Sequence, residues 1–246
     1  MKLYPIQCGN FKLDGGAMFG VVPKSLWERT NPADSKNLIE LGTRSLLVED
    51  GKKLILIDCG LGNKQDEKFF GHYSLYGDES LDKNLKKFGF VREDITDVFL
   101  THLHFDHCGG AIEWNDDKTG YRPAFKNAQF WTNENHWQWA TEPNPREKAS
   151  FLKENILPMQ ESGQLQFLPT PKTGNYGFAP DLKMDVIVVD GHTEKQMLPV
   201  IQYQEKTIVF AADLIPTAGH IPQVYVMGYD TRPLLTMEEK GKFLKQ

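Results

Sequence analysis

The chain has little cysteine, no long apolar run and no basic cluster, and each shortage excludes something. Cys8, Cys59 and Cys108 are odd in number and widely spaced, so no disulfide framework is expected. Reduced thiols in a cytoplasmic protein are the simplest account. No stretch approaches the ~18 consecutive apolar residues of a membrane span, and residues 1–8 lack the apolar core of a signal peptide. The formal net charge is -5, and nothing basic is clustered on the scale that a nucleic-acid groove needs. Neither nucleic acid nor a membrane is therefore expected as a partner. What remains is 246 residues, 40% hydrophobic and 11% aromatic, enough for a large core in one α/β domain.

Histidine is also scarce, at seven, yet three lie in Thr101-His102-Leu103-His104-Phe105-Asp106-His107-Cys108-Gly109-Gly110. With Asp106, four metal-capable side chains fall within six residues, directly after the apolar run Val98-Phe99-Leu100. Imidazoles at i and i+2 on an extended strand end point to one side. The chain then turns, and Asp106 and His107 can face a second point. One loop can thus build two neighbouring sites. Neutral imidazole and carboxylate suit zinc, with manganese and iron as competitors. A solvated histidine-rich loop is the bland alternative, and the concentration of three of seven histidines argues against it. Cys108 adjoins the motif, but the His/Asp set already fills the ligand role.

The pattern around this loop delivers it to a sheet edge. Residues 1–22 read as short strands with a Gly15-Gly16 turn between them, and Pro23 leads a short helix through Trp27. Strands follow at 39–49 and 54–57, the second ending at Asp58. Helices are expected at 64–71 and 79–88, the latter from Leu81, Leu85 and Phe88. After the motif come a strand at 128–131, helices at 133–140 and 146–157, and a strand at 164–168. Residues 169–181 read as a Pro/Gly-rich loop. A strand at 184–189 leads to Asp190-Gly191-His192, and a hairpin over 197–203 and 207–211 leads to Ala212-Asp213. Trp131, Trp137 and Trp139 read as packing. Thr236 and Glu239 have capping-box spacing, so a last helix is expected to begin there. It stops without a C-cap, which points to a natural chain that continues further. In both halves an apolar strand is followed by an acidic or His residue and then Gly. That rhythm fits two sheets with helices outside, in a single domain over 1–246 lacking its natural C-terminal segment.

Asp58, His192 and Asp213 each stand directly after an apolar strand. His102, His104 and His192 are expected around one metal, and Asp106, His107 and Asp213 around another, with Asp213 able to bridge both. Two metals roughly 3.5–4 Å apart can hold one hydroxide between them, a nucleophile at neutral pH, while their free faces polarise a carbonyl or phosphoryl oxygen. No serine or cysteine nucleophile is then needed. Asp58 reads as a carboxylate that hydrogen-bonds the ligand loop. Taken alone, His192 is an ordinary histidine and Asp213 a helix N-cap. Their weight comes from occurring with the 102–107 cluster. His72 and His136 read as surface or core histidines. His220 has two readings, a substrate contact or spare ligand, or the cap of a loop.

Thr101-His102-Leu103-His104-Phe105-Asp106-His107 resembles the HxHxDH signature of the metallo-β-lactamase superfamily. Leu56-Ile57-Asp58-Cys59-Gly60, Gly191-His192-Thr193 and Ala211-Ala212-Asp213 resemble its other landmarks, in the same order. The resemblance implies an αββα four-layer sandwich, two mixed β-sheets flanked by helices, with two divalent metal ions between the sheet edges. Zinc is the first choice. Within the superfamily, Met18-Phe19-Gly20-Val21-Val22-Pro23, Asp213-Leu214-Ile215-Pro216 with His220, and Tyr229-Asp230 look like the quorum-quenching lactonase branch. Methyl-parathion hydrolases are a similar neighbouring branch. The chain departs from the family in two places. No histidine follows His220, where members carry a last ligand, and Pro216 stands where some lactonases carry a tyrosine. Tyr225, Tyr229 or His220 are the candidates to replace that tyrosine.

The resemblance thus implies a hydrolase that opens a small-molecule lactone or ester by attack of a metal-bound hydroxide. Asp106 and His220 are the candidate catalytic residues, Asp106 passing a proton to the leaving alkoxide. Met18, Phe19 and Trp27 either line an apolar acyl pocket or pack as an ordinary N-terminal arm. Thioester hydrolysis of the glyoxalase II type, phosphotriester hydrolysis and a non-catalytic metal-binding or sensing module are the alternatives. A homodimer formed through the N-terminal arm is a family-level expectation.

Overall fold

In the computed structural model, which describes residues 1–171 and 175–245, twelve strands form two main sheets and one small hairpin. Strands β1 (Lys2–Asp14), β2 (Leu38–Asp50) and β3 (Lys53–Ile57) make an antiparallel meander. The tight turn between β2 and β3 is the Asp-Gly signal of the sequence, with Gly51 at φ +61°. The chain then crosses over through helices Glu67–Gly71 and Leu81–Lys87 and returns as β4 (Asp97–Phe99), parallel to β3. A small hairpin follows, β5 (Ile112–Trp114) with β6 (Tyr121–Pro123). β7 (Gln129–Asn133) and β8 (Leu165–Leu168) extend the first sheet in parallel, giving the order β1-β2-β3-β4-β7-β8. The second sheet runs β12-β11-β10-β9, all antiparallel, from β9 (Tyr176–Ala179), β10 (Met184–Val189), β11 (Gln196–Tyr203) and β12 (Lys206–Val209).

Strand periodicity sorts the apolar residues into layers. On β3, Leu54 and Leu56 face helices, packing with Leu81, Leu85, Trp137, Ile156 and Met159. Ile55 and Ile57 face the other way and meet Met184, Val186 and Val188 of β10. Ile187 and Val189 of β10 point outward again, onto Leu214 and Phe243. The result is the expected αββα sandwich: helix layer, sheet, sheet, helix layer. Because β3 and β4 are parallel, their carboxyl ends lie side by side. Asp58 and Thr101-His102 therefore leave the sheet at one edge, with the Asp58 amide donating to Phe99 O at 2.8 Å. Among the described residues no helix is long and apolar enough to cross a membrane.

Several local expectations change. The first strand is one long element. Gly15-Gly16 opens a helix, Gly15–Phe19, rather than a turn, because the Asp14 carboxylate caps it by accepting from the Ala17 amide at 2.8 Å. The helix expected at 146–157 is Lys153–Glu161, and residues 142–152 form a loop. There the Asn144 carbonyl side chain accepts from the amides of Arg146 and Glu147 and holds a turn. The last helix spans Pro233–Phe243, with proline in its first turn, so Thr236 and Glu239 are interior and form no capping box. Part of the expected 169–181 loop is strand β9, and residues 172–174 lie outside the described residues.

Candidate metal centre

The motif loop is held from below by main chain. Leu100 N donates to Trp131 O at 2.9 Å, and Met197 N of the second sheet donates to Thr101 O at 2.8 Å. Cys59 N donates to His107 O, also at 2.8 Å. The two glycines ending the motif allow this approach. A Cβ at Gly109 would stand 2.0 Å from Leu61 O, and one at Gly110 would stand 2.1 Å from Cys59 O. His136, expected as a bystander, is a buried strut. Its Nε2 accepts from the Leu103 amide at 2.8 Å, and its Nδ1 faces Glu194 O.

Above this floor two donor groups converge. One nitrogen each from His102, His104 and His192 lie within 4.8 Å of one another, and so do donor atoms of His102, His107 and Asp213. His102 belongs to both groups. Asp106 stands beside the second group, its Oδ2 at 3.6 Å from His107 Nε2. The tight second group thus contains His102 where Asp106 was expected. The carboxylate of Asp213 spans the pair, with Oδ1 at 3.2 Å from His107 Nε2 and Oδ2 at 3.3 Å from His192 Nε2.

The donor set fits divalent metal ions. His102 Nε2 is buried and has no hydrogen-bond partner, which costs about 1–3 kcal/mol in a purely structural role. His192 Nδ1 donates to Asp230 Oδ1 at 2.9 Å, which leaves its Nε2 as a lone pair in the neutral ring. That Nε2 faces His104 Nδ1 at 3.1 Å. Two ring nitrogens bound at 2.0–2.1 Å to one tetrahedral zinc stand about 3.3 Å apart.

The electrostatics are divided. Burial, then the neighbouring rings of His107, His104 and His192, push His102 well below the usual histidine range. Burial also lowers His104. Burial opposes a charge on His107, but Asp213, Asp106 and Asp58 raise it well above its ordinary value. His192 rises too, as Asp213 and Asp230 overcome burial. Burial works against the Asp213 carboxylate, yet His107 and His192 hold it below the usual range. Without metal, protons on His107 and His192 balance the carboxylates, and a cation would displace them.

His104, His107, His192 and Asp213 lie in the wall of an open cavity of about 620 Å³ that also takes in Asp106, Glu147, Tyr73, Tyr229, Arg44 and Arg146, while His102 is buried behind them.

Comparison with known proteins agrees with the sequence pattern and the fold. Residues 38–235 match the metallo-beta-lactamase superfamily. This chain belongs to that superfamily. A probable metal-dependent hydrolase from Staphylococcus aureus superposes with a TM-score of 0.86 at 28% identity, over 99% of this chain and 83% of that one. AidC, a dizinc quorum-quenching lactonase solved with a product, gives 0.76 at 22% identity, over 99% of this chain and 82% of AidC. The transcription termination factor FttA of Methanocaldococcus jannaschii is 33% identical over 70 residues. That is 28% of this chain, and the match spans only 9% of FttA. Superfamily and donor set together make the chain a metal-dependent hydrolase.

Within this superfamily member the other expected site residues separate. Asp58 sits beneath the cluster. It accepts from Thr101 N and Oγ1 and from His107 Nδ1, each at 2.8 Å, and so turns His107 Nε2 toward Asp213. His220 is not at the cavity. It is fully buried and stacked on Phe19 at 4.2 Å between ring centroids. Its Nε2 donates to Met18 O and its Nδ1 accepts from the Thr217 hydroxyl, both at 2.8 Å, so neither nitrogen is free for catalysis. Of the three apolar pocket candidates only Met18 reaches the cavity. Phe19 and Trp27 stack on each other at 5.3 Å and belong to the core, Phe19 from the helix Gly15–Phe19 and Trp27 from the short helix Lys24–Trp27. Tyr225 packs with them, whereas Tyr229 lines the cavity. Cys108 is no ligand. Its thiol, raised by burial, donates to Leu103 O at 3.2 Å.

Glu147, Tyr73 and the pairing of Asp230 with His192 were not read from the sequence. Asp230 lay inside a noted branch landmark. Glu147 and Tyr73 sit in loops with no strand-end or spacing signal.

Proposed function

We propose that this chain hydrolyses a lactone or a related carboxylic ester in the 620 Å³ cavity. The observation that carries the reading is the position of the donor cluster. Its His104, His107, His192 and Asp213 side chains, with His102 buried behind them, meet in the wall of a cavity that apolar side chains also line. Those side chains are Phe11, Leu13, Met18, Leu41 and Met227. They offer an apolar substituent a place beside a polar reacting centre. A divalent ion held by these donors lowers the pKa of bound water toward neutrality and polarises a carbonyl oxygen.

The chain's own residues do the rest. Asp58 and Asp230 fix the rings of His107 and His192 through their Nδ1 atoms. Asp106 lines the cavity beside His107 and, among the described residues, is committed to no hydrogen bond of ordinary length. Its carboxylate takes the proton of the attacking water and returns it to the leaving alkoxide. Burial first, then the charge of Asp106, pushes the Tyr73 phenol up to about 12, and burial, then the charges of Asp14 and Asp106, raise Tyr229. Both therefore stay protonated at neutral pH and can donate to a substrate carbonyl. They stand in for the tyrosine that Pro216 replaces.

The test is zinc content by mass spectrometry, followed by turnover of acyl-homoserine lactone, thioester and phosphotriester panels, with His104→Ala as control. Lactone or ester turnover that needs metal and is lost in His104→Ala is the expected result. Turnover of only the thioester or only the phosphotriester would move the substrate class. Metal-loaded protein that hydrolyses none of them would overturn the reading.

A further inference from the structure

We propose that Glu147 is a positioning residue that holds the His104 ring from behind and so presents Nδ1 of that ring to the His102–His104–His192 group. The inference rests on the metal-centre reading and goes beyond it, because Glu147 lies outside every motif that carries that reading.

The loop over residues 142–152 wraps His104. Phe105 N donates to Ser150 O at 2.9 Å, tying the loop to the motif helix Phe105–Cys108. The Phe151 ring packs on the His104 ring at 4.7 Å. Glu147 is 3% exposed, and its Oε1 faces His104 Nε2 at 3.4 Å, a few tenths of an ångström beyond an ordinary bond. Neither atom has an ordinary hydrogen bond to anything else among the described residues. The other carboxylate oxygen is fixed, as Trp139 Nε1 donates to Oε2 at 2.8 Å and Asn144 Nδ2 donates to it as well.

The chemistry of the ring makes this arrangement directional. His104 has one nitrogen toward His192 and one toward Glu147. A carboxylate accepts and does not donate, so the nitrogen facing it must carry the proton. The nitrogen facing the cluster is then a lone pair. Burial disfavours the Glu147 charge, and the donors around it, His104, Thr193 and Trp139, outweigh that cost and lower its pKa. Three of the four cluster histidines thus have a carboxylate on the outer nitrogen: Asp58 on His107, Asp230 on His192 and Glu147 on His104. The last comes from the loop between the helices Glu134–Thr141 and Lys153–Glu161, so it ties that loop to the metal group.

The test measures zinc affinity by competition with a chromophoric chelator, for wild type, Glu147→Ala, Glu147→Gln and Trp139→Phe. Loss of an outer carboxylate typically weakens metal binding about tenfold to a hundredfold, which is the expectation for Glu147→Ala. Glu147→Gln keeps an acceptor oxygen and should remain within about fivefold of wild type. Trp139→Phe disturbs the loop but leaves the carboxylate, and should change affinity less than Glu147→Ala. Wild-type affinity in Glu147→Ala, or equal losses in Glu147→Ala and Trp139→Phe, would overturn the proposal. A second readout needs no metal. In ¹⁵N-histidine-labelled, zinc-free protein the His104 Nε2–H signal should be slowly exchanging in wild type and Glu147→Gln, and lost to exchange in Glu147→Ala. An exchange rate that Glu147→Ala leaves unchanged would also overturn it. A wild-type chain that takes up no zinc would sink the metal-centre reading instead, and the exchange measurement would still decide the hydrogen bond.

Discussion

The two halves of the donor cluster are built from different materials. His102, His104 and His107 come from one loop, set by main-chain bonds from Leu100, Thr101 and His107 and by the Asp58 carboxylate. His192 and Asp213 come from the second sheet, and the turn before His192 is held by residues 231–239, through main chain (Arg232 N to Gly191 O at 2.8 Å, Thr231 N to His192 O at 3.1 Å) and through side chains. Glu239 accepts from Asp190 N at 2.8 Å and from Gly191 N at 2.9 Å. The Arg232 guanidinium donates to Asp190 O, and the Thr231 hydroxyl to His192 O. Thr236 packs so closely that a Cβ at Gly191 would stand 2.3 Å from its amide nitrogen. Separation along the chain is not the difference. Asp58 reaches 43 and 49 residues forward, and Glu239 reaches 48 and 49 back. The difference lies in what carries the contacts. The loop is tied to strands or strand ends of both sheets, through Trp131, Met197 and Cys59. The turn is tied to the helix Pro233–Phe243 and the two residues before it, and is only as firm as that helix.

The largest test breaks the symmetry at His102, the donor common to both groups. His102→Ala should remove all bound zinc and abolish hydrolysis. His192→Ala should empty one group and His107→Ala the other, each leaving part of the metal in place. Metal-to-protein ratios on the three variants decide this. Equal, partial losses in all three would show that His102 is not shared.

A smaller test compares the two carboxylate anchors. Hydrogen bonds to a charged group contribute roughly 1.5–3 kcal/mol each, and Glu239 makes two, to buried amides. Glu239→Ala should therefore lower stability by about 3 kcal/mol in urea melts, with zinc affinity falling because the His192 turn loosens. Asp58→Ala should cost at least as much and also free the His107 ring. If Glu239→Ala unfolds at the wild-type urea concentration, the helix Pro233–Phe243 does not clamp the site.

The same contrast explains what could be read from the amino acids. The rhythm of apolar strand, acidic or His residue and Gly pointed to two sheets, but which of Leu54, Ile55, Leu56 and Ile57 faces which layer was not legible, since all four are apolar. The 102–107 spacing gave the loop, because consecutive residues on a strand end and one helical turn must converge. Asp58, His192 and Asp213 were legible as residues ending apolar strands. Glu147 and Glu239 were not, since a carboxylate in a loop or on a helix carries no sign of what it will touch. His220 misled for the opposite reason. It follows Asp213 closely in sequence and looks available, but both nitrogens are spent on Thr217 and Met18. Phe19 and Trp27 misled because the helix that Asp14 caps and the helix Lys24–Trp27 stack them on each other in the core.

The smallest test uses a pair of buried lysines, one in each half. Lys64 is 5% exposed and its ammonium donates to Gly109 O beneath the motif loop. Lys240 is fully buried and donates to His220 O and Tyr225 O in the segment beside the His192 turn. Burial lowers both to about 8, against 10.5 for a free lysine. Below pH 8 each is protonated folded or unfolded, so stability is flat with pH. Between about 8 and 10.5 the unfolded chain holds the proton that the folded chain has released. Stability therefore rises with pH across that window, by at most about 1.4 kcal/mol per pH unit per lysine. Lys64→Met and Lys240→Met should each flatten the rise, read as the difference from wild type in urea melts between pH 7 and 10.5. At pH 7 they should part company. Lys64→Met strands one carbonyl and Lys240→Met strands two, so the second should be the less stable variant. Equal stabilities at pH 7 would mean that the ammonium of Lys240 adds no more to the helix-held half than Lys64 adds to the loop.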